Sequence, residues 1–365
     1  MFAESPPFIR RLLRFLLLPY CYFKLVNWKE CTRSKTQVLN DFLYIFFRLK
    51  YYPDNYGACR FWEKERSQWN YYYGSSYDPY QRKKLRREVQ RYEYQILFND
   101  KEICDLLCRG MDVSLPRFLG KLEPDTQYRE DLLKIFNDTK LSKVIIKPVL
   151  GHAGLGILLA KRENDSIAVK SKAREYPLKN FVLKEKCIVQ EIVGQDETIS
   201  SIAPHSINTI RLLTLYTKSQ EVIIVSSTMR FGVGESFVDN WSAGGVAVGV
   251  DHETGILKKT AYDKPGNQYY KHPVSQIVFS GFRIPRWENV KEMAIKIQKA
   301  CPFYKLLGLD IAVTENGPVL IEVNANPDII FQEQTSGPLF ASKKIYDEFK
   351  KYDLLINKYQ EQLYQ

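Results

Sequence analysis

The stretch "LDIAVTENGPVLIEVNANP", residues 309–327, limits the possible folds of this 365-residue chain more than any other. It reads as two strands around a tight turn. A three-residue loop, Glu315-Asn316-Gly317 with Gly317 left-handed, sets Asp310 opposite Glu322. Side chains alternate along a strand, so Leu309, Ile311 and Val313 then oppose Val323, Ile321 and Val319 on one apolar face. The other face is left to Asp310, Ala312, Leu320, Glu322 and Asn324. Facing carboxylates repel unless a cation sits between them, and two acids beside an amide suit Mg²⁺ better than a softer metal. An exposed polar face accounts for the same residues.

Around this hairpin, a hydrophobic fraction of 45% with 26% charged residues speaks against a disordered chain, and no fixed-period repeat is present. The net charge of +11 favours an anionic partner: phosphate, anionic lipid or nucleic acid. Seven scattered cysteines, without CxxC pairs or Cys/His ligand spacing, fit a reduced compartment and a cytoplasmic enzyme better than a disulfide framework. Near the start, "FIRRLLRFLLLPYCYFKLV" is basic and then apolar, but Arg14, Pro19 and Lys24 interrupt it below the length of a bilayer span. It also has no small-residue cleavage site. One reading is an interfacial helix whose Arg10, Arg11 and Arg14 meet lipid headgroups, a peripheral contact at the inner face of the membrane. The other is a helix packed on its own domain.

The class is expected to be α+β. Residues 1–95 read as a mainly helical basic region in which aromatic residues interleave with charge. That mixture suits nucleic acid in principle, but no binding-module pattern accompanies it. The basic helix "QRKKLRREVQRYEYQIL" gives Leu85, Val89, Tyr92 and Ile96 as a packing stripe instead, so no nucleic-acid partner is expected. Residues 96–140 form a helical entry segment whose first helix ends near Gly110. Beyond 141 short β-branched runs dominate, with a helix around 289–300 and a charged helical C-terminus.

In "VIIKPVLGHAGLGILLA", Lys147 lies on a strand that ends in Gly151, Gly154 and Gly156. Glycines let backbone N–H groups converge on phosphate oxygens, and the lysine supplies fixed charge beside them. The spacing is neither a Walker A loop nor a dinucleotide fingerprint, and a glycine hairpin turn explains Gly154 and Gly156 equally. "CIVQEIVGQDETI" offers an extended hinge for an adenine edge, with Glu197 in reach of ribose hydroxyls; an ordinary strand and turn is the alternative. Arg211 and Arg230 both lie within strand patterns, where each needs an anionic partner: substrate, phosphate, or Glu322 or Asp310 as an ion pair.

Taken in order, these segments resemble ATP-grasp enzymes. "INTIRLLT", "MRFG", "VDNWSAGGV" and "GLDIAVTENGPVLIEVNANPD" are similar to the sugar-transfer-associated ATP-grasp family found with bacterial polysaccharide biosynthesis. The resemblance covers roughly residues 95–330. It implies two lobes whose antiparallel sheets clamp ATP, a lid lobe with the glycine loop over residues 141–195 and a core lobe with the metal site and C-terminal helix over 196–365. By it, Lys147 and Lys101 contact phosphates and Gly151 to Gly156 form a mobile loop over the triphosphate. Gln190, Glu191 and Val193 line the adenine, Glu197 the ribose, and Asp310, Glu322 and Asn324 hold Mg²⁺. Ala153, where many relatives carry another glycine, is a departure that bears on loop closure.

The usual reaction in that superfamily makes an acyl phosphate from a carboxylate and ATP, which an amine then displaces. Mg²⁺ and the lysines suit the transferring phosphoryl group, and Arg211 or Arg230 the carboxylate and later oxyanion. Asn240, before the Gly244-Gly245 pair, is the candidate on the acceptor side, with a tight turn as its alternative. The expectation is therefore a carbon–nitrogen ligase of capsule or exopolysaccharide biosynthesis, taking a small-molecule carboxylate and an amine or sugar substrate. Its rivals are an ATP-dependent sugar kinase and a nucleotide-binding partner of a glycosyltransferase.

Overall fold

In a computed structural model, the structure describes residues 6–75, 78–125, 127–151, 154–164, 166–171, 174–234, 239, 241 and 244–365. The class is α+β, built on two antiparallel sheets. The smaller has the order β1-β6-β2-β3-β4-β5, with β1 Phe118–Leu122, β2 Lys143–Pro148, β3 Leu158–Glu163, β4 Ser166–Lys170, β5 Glu175–Pro177 and β6 Cys187–Glu191. The larger has the order β11-β10-β9-β8-β7-β12-β13. Its strands are β7 Ile210–Tyr216, β8 Val222–Phe231, β9 Val246–Val250, β10 Leu257–Tyr262, β11 Gln268–Tyr269, β12 Leu306–Thr314 and β13 Gly317–Asn324.

Eight helices of eight residues or more are described: α1 Pro7–Phe15, α2 Lys35–Tyr44, α3 Pro79–Glu88, α4 Lys101–Arg109, α5 Tyr128–Thr139, α6 Trp287–Ala300, α7 Ile329–Ser336 and α8 Lys343–Lys351. Several starts are legible locally. Ser34 and Gln37 form a capping box on α2, and the Asp100 and Asp328 carboxylates accept from the first free N–H groups of α4 and α7.

The smaller sheet packs α5 through Leu132, Ile135 and Phe136 against Val144, Ile146 and Val189. Thus β1 and α5, which the sequence places ahead of this lobe, belong to its sheet and its core. On the larger sheet the apolar face lies under α6, where Val290, Ala294 and Ile297 meet Ile210, Leu212, Leu309 and Ile311. The opposite face is covered in part by α7. Its backbone lies so close to β9 that a Cβ on Gly249 would stand 2.4 Å from the Thr335 carbonyl oxygen.

The register of the opening hairpin departs from expectation at one point. Asp310 faces Glu322 and Leu309 faces Val323, but Ile311 then faces Leu320 and Val313 faces Pro318. A β-bulge at Ile321 absorbs one residue of β13. The turn therefore shortens to Glu315-Asn316, closed by Thr314 pairing with Gly317, whose φ is +121°. The bulge also turns Leu320 into the core and Ile321 toward the cavity described below, the reverse of simple alternation.

The basic stretch from 81 to 97 does not form one helix. α3 ends at Glu88 because the Val89 carbonyl is taken by the backbone N–H groups of Lys305 and Leu306 at the head of β12. Leu85 and Val89 are buried, whereas Tyr92 and Ile96 are exposed. The aromatic residues between 51 and 73 are largely interior: Tyr51, Tyr56, Phe61, Trp62 and Trp69 form one core with Ile330 of α7. Asp41, buried among them, binds Arg33, Arg66 and the Tyr56 hydroxyl. Arg11, expected at lipid headgroups, turns inward to the Phe46 carbonyl at 2.8 Å and lies over the Phe46 ring. The side chain of Arg14 lies outside the described residues.

Glu333 of α7 ties this helical layer to the core, accepting from the backbone N–H of Tyr73 at 2.7 Å and of Leu339 at 3.1 Å. Burial pushes its carboxyl up to about 8, against the pull of those N–H groups. The folded state thus holds a proton that the unfolded chain releases near pH 4.5, so this contribution to stability is full below that pH and is lost as pH rises through about 8. Glu333→Gln, which mimics the protonated acid, is expected to remove roughly 2–4 kcal/mol of the stability loss between pH 5 and 8, read by urea unfolding across that range.

Candidate active site

Alternation along neighbouring strands builds the floor of the site. Across the larger sheet, Thr228 of β8, Arg211 of β7, Asp310 of β12 and Glu322 of β13 stand directly opposite one another in sequence of strands, so their side chains share one face. Arg230 and Asn324 lie two residues further along β8 and β13 and emerge on that same face. The smaller sheet offers β2 above it. Between the sheets is a cavity of about 750 Å³, lined by Lys101, Lys147, Arg211, Arg230, Asp310 and Glu322 among others.

Asp310 is the most heavily engaged group. Its carboxylate accepts from Nε and Nη2 of Arg211, the latter at 2.8 Å, and from Asn324 Nδ2 at 3.4 Å, and it is ion-paired with Nη2 of Arg230 at 3.1 Å. Burial acts to raise its pKa, but the two guanidiniums outweigh burial and hold the carboxyl below its ordinary value. Of the partners the sequence allowed Arg211, it is Asp310 that occupies its planar fork. Arg230 also donates through Nε to Thr209 Oγ1 at 3.0 Å and lies 3.5 Å from Asp239. Asp239 accepts from the Thr209 backbone and hydroxyl, and burial still raises its pKa despite Arg230.

The lysines come from the other side. Lys101 is the first residue of α4; its ammonium donates to the Gly151 carbonyl and lies 3.6 Å from Glu322. Lys147 on β2 has no hydrogen-bond or ion-pair partner for its ammonium among the described residues. Desolvation, reinforced by Lys101 and opposed by Glu322, brings its pKa down to about 8. An ammonium so held is poised for a multiply charged anion.

Of the glycine loop, Gly151 and Gly154 line the cavity. Gly154 and Gly156 have φ of +69° and +74°, and a Cβ on Gly156 would meet Pro148 at 2.7 Å, so both turns require glycine. Ala153 lies outside the described residues, as does Asn240. At the end of β6 and on the linker after it, Glu191 and Val193 line the cavity. Gln190 is buried beside it, its Oε1 without a partner among the described residues. Glu197 is exposed and is not a lining residue; it begins a short helix whose cap, Asp196, accepts from the Thr198 N–H at 2.9 Å. Gln195 lines the cavity there instead, its amide clasping Asn208 at 2.7–3.1 Å.

Sequence reasoning did not single out Gln195, Asn208, Thr209 or Asp239. Asn208, Thr209 and Asp239 lie within "INTIRLLT" and "VDNWSAGGV", quoted for their resemblance, and a polar residue bordering a buried strand was the available signal. Among the described residues no three of His, Cys, Asp and Glu gather as a metal cluster. Asp310, Glu322 and Asn324 lie on one hairpin and line the cavity, and their oxygens are of the kind that suits Mg²⁺, which keeps waters and phosphate oxygens in its shell. Glu322 is the freer carboxylate, since Asp310 already accepts from two Arg211 N–H groups and from Asn324 and is ion-paired with Arg230.

A model of the sugar-transfer associated ATP-grasp family matches residues 80–344. Among solved structures, a D-alanine-D-alanine ligase from Helicobacter pylori is similar at 13% identity and a TM-score of 0.43, over 71% of this chain and 63% of that one. A D-Ala:D-Ser ligase from Enterococcus faecalis is similar at 15% identity and 0.42, over 70% and 61%. A RimK domain ATP-grasp protein from Sphaerobacter thermophilus is similar at 11% and 0.39, over 69% and 70%. The chain thus spans less than two thirds of the length of the two ligases. No curated protein matches it.

Two substitutions separate structural charges from poised ones. Asp310→Asn strips a buried ion network and is expected to cost about 3 kcal/mol in urea unfolding, while Glu322→Gln costs less than about 1 kcal/mol. Lys147→Met is expected to stabilise the ligand-free protein by about 1–2 kcal/mol at pH 7, because charging a lysine of lowered pKa opposes folding. That gain is full below pH 8 or so and fades as pH rises toward the unfolded value of 10.5.

Proposed function

The chain belongs to the sugar-transfer associated ATP-grasp family, and on that premise we propose that it is an ATP- and Mg²⁺-dependent carboxylate–amine ligase acting through an acyl phosphate. Its two antiparallel sheets with a helical N-terminal region are the ATP-grasp fold. The reaction is placed in the cytoplasm and in bacterial surface polysaccharide biosynthesis, of capsule or exopolysaccharide, joining an amine or amino acid to a sugar acid or the converse.

The observation that carries this reading is the unpartnered Lys147 ammonium above a row of carboxylates on the facing sheet. That pairing suits a triphosphate whose negative charge meets lysines on one side and a divalent ion on the other. Mg²⁺ bound by Glu322, Asn324 and Asp310 would supply the neutralising charge there. Lys147 and Lys101 bind phosphate oxygens, and the loop backbone at Gly151 and Gly154 closes over them. Glu191 and Val193 border the base, with Gln190 behind them; Gln195 is a better candidate than Glu197 for the ribose. Arg230, whose fork is not spent on one carboxylate, orients the substrate carboxylate and then the tetrahedral oxyanion. Arg211 keeps Asp310 ionised and in place. Asn240 remains the proposed contact to the acceptor.

The carboxylate oxygen attacks the terminal phosphorus and ADP leaves. The amine nitrogen then attacks the acyl carbon, loses a proton, and inorganic phosphate departs. No side-chain nucleophile is needed.

Following ADP release over sugar acids combined with amines, and omitting each in turn, tests the reading. A ligase requires both, a sugar kinase releases ADP with the sugar alone, and a nucleotide-binding partner binds ATP without turnover. Glu322→Gln is expected to lower Mg²⁺-dependent ADP formation by about 100-fold or more, and Lys147→Met to weaken ATP binding by at least roughly tenfold. Unchanged Mg²⁺-dependent ATP consumption in a folded Glu322→Gln protein overturns the site.

A further inference from the structure

Among the described residues, many exposed apolar side chains lie far from the candidate site in sequence, on α1, the turn after it, and α2. Phe8, Leu12, Leu16 and Tyr20 recur at intervals of four and are 64%, 62%, 72% and 59% exposed. Leu39, Leu43 and Phe47 recur at the same interval along α2 and its continuation, and all three are exposed. The two stripes meet at Phe15, whose ring stands 5.3 Å from Phe46 and 6.0 Å from Phe47. Beneath the face, Val38, Phe42, Phe46 and Leu49 are buried in a packed core, so the side chains are presented on a firm support. A contiguous exposed surface of this kind is rarely left to water.

Charge selects the occupant. Lys24, Lys29, Lys35, Arg48 and Lys50 are all exposed. The acids between residues 6 and 50 are Asp41, buried in its ion pairs, and Glu30, held 3.4 Å from Arg60. Apart from Glu30, which is exposed but ion-paired, the exposed charge of this region is therefore cationic, beside an apolar centre rich in Phe and Leu, the chemistry of a helix lying in a lipid headgroup layer. Among the described residues no helix is long and apolar enough to cross a membrane.

We propose that this face docks the protein on an anionic lipid bilayer, with Phe8, Leu12, Leu16, Leu43 and Phe47 entering the acyl boundary and Lys24, Arg48 and Lys50 meeting phosphate headgroups. Arg11 takes no part, because it braces α1 against the Phe46 carbonyl from within.

The test is co-sedimentation of the full chain with vesicles of phosphatidylcholine mixed with phosphatidylglycerol, against vesicles of phosphatidylcholine alone. The protein is expected to partition onto the mixed vesicles, and Leu12→Ser with Leu16→Ser and Phe47→Ser to reduce that by more than about tenfold. Lys24→Glu with Arg48→Glu, both on exposed side chains, is expected to reduce it roughly fivefold or more per cation and provides the test if the apolar variant does not fold. Unaltered ATP binding in either variant shows that the fold is kept. The proposal is overturned if the parent protein ignores the mixed vesicles or if both folded variants bind them as the parent does. It is overturned equally if sedimentation velocity shows a dimer that the apolar variant dissolves while vesicles bind neither, since a second copy then covers the face.

Discussion

The Asp310 carboxylate, shut between the guanidiniums of Arg211 and Arg230, is the interaction on which the rest of the larger sheet turns. Three charges from β7, β8 and β12 are removed from water together, and each is tolerable only because the others are there. The apolar face behind them, Leu212, Leu309 and Ile311 under α6, fixes which way these strands face, and so delivers the charges to the cavity side. A sheet that slipped by one residue would bury the charges against α6 and expose the core.

The smaller sheet contributes the opposite condition, a charge left without compensation. Lys147 stands partly out of water and unpartnered, which lowers its pKa and opposes folding. The chain tolerates this cost at a place where an anion can recover it, a usual compromise between stability and a prepared binding site. The glycines at 154 and 156 belong to the same arrangement, since their positive φ lets the backbone fold tightly against Pro148 at the mouth of the cavity.

The N-terminal helices are not an appendage to this machinery. Their aromatic core includes Ile330, two residues past the Asp328 cap that borders the cavity. Asn357 donates to the Leu49 carbonyl and Gln360 to that of Tyr72, so the end of the chain closes over its beginning. Glu333 adds a third tie, through the Tyr73 backbone. The layer that holds α7 in place is thus the same one that presents an apolar, cationic face outward.

Much of the site was legible because strand geometry is local. A period of two within one hairpin is enough to put Asp310, Glu322 and Asn324 on one face, and Gly154, Gly156 and Gly317 announce turns by what only glycine tolerates, whereas the order and register of β7, β8 and β12 bring Arg211 and Arg230 to that face. The α+β class, most strands and the common face of Asp310, Glu322 and Asn324 were therefore set within the sequence. Tertiary structure alone decided the bulge that turns Ile321 toward the cavity, the choice of Asp310 as the partner of Arg211, and the approach of Gln195 where Glu197 was expected. It also decided the inward turn of Arg11, the end of α3 at Glu88, and the place of β1 in the smaller sheet. Each of these is set by a neighbour distant in the chain: Lys305 for the Val89 carbonyl, Asn208 for Gln195, Cys187 to Gln190 for β1. Alternation and turn chemistry act between adjacent residues and can be read in one dimension, whereas a partner a hundred residues away is chosen by packing and burial, which exist only once the chain has closed on itself.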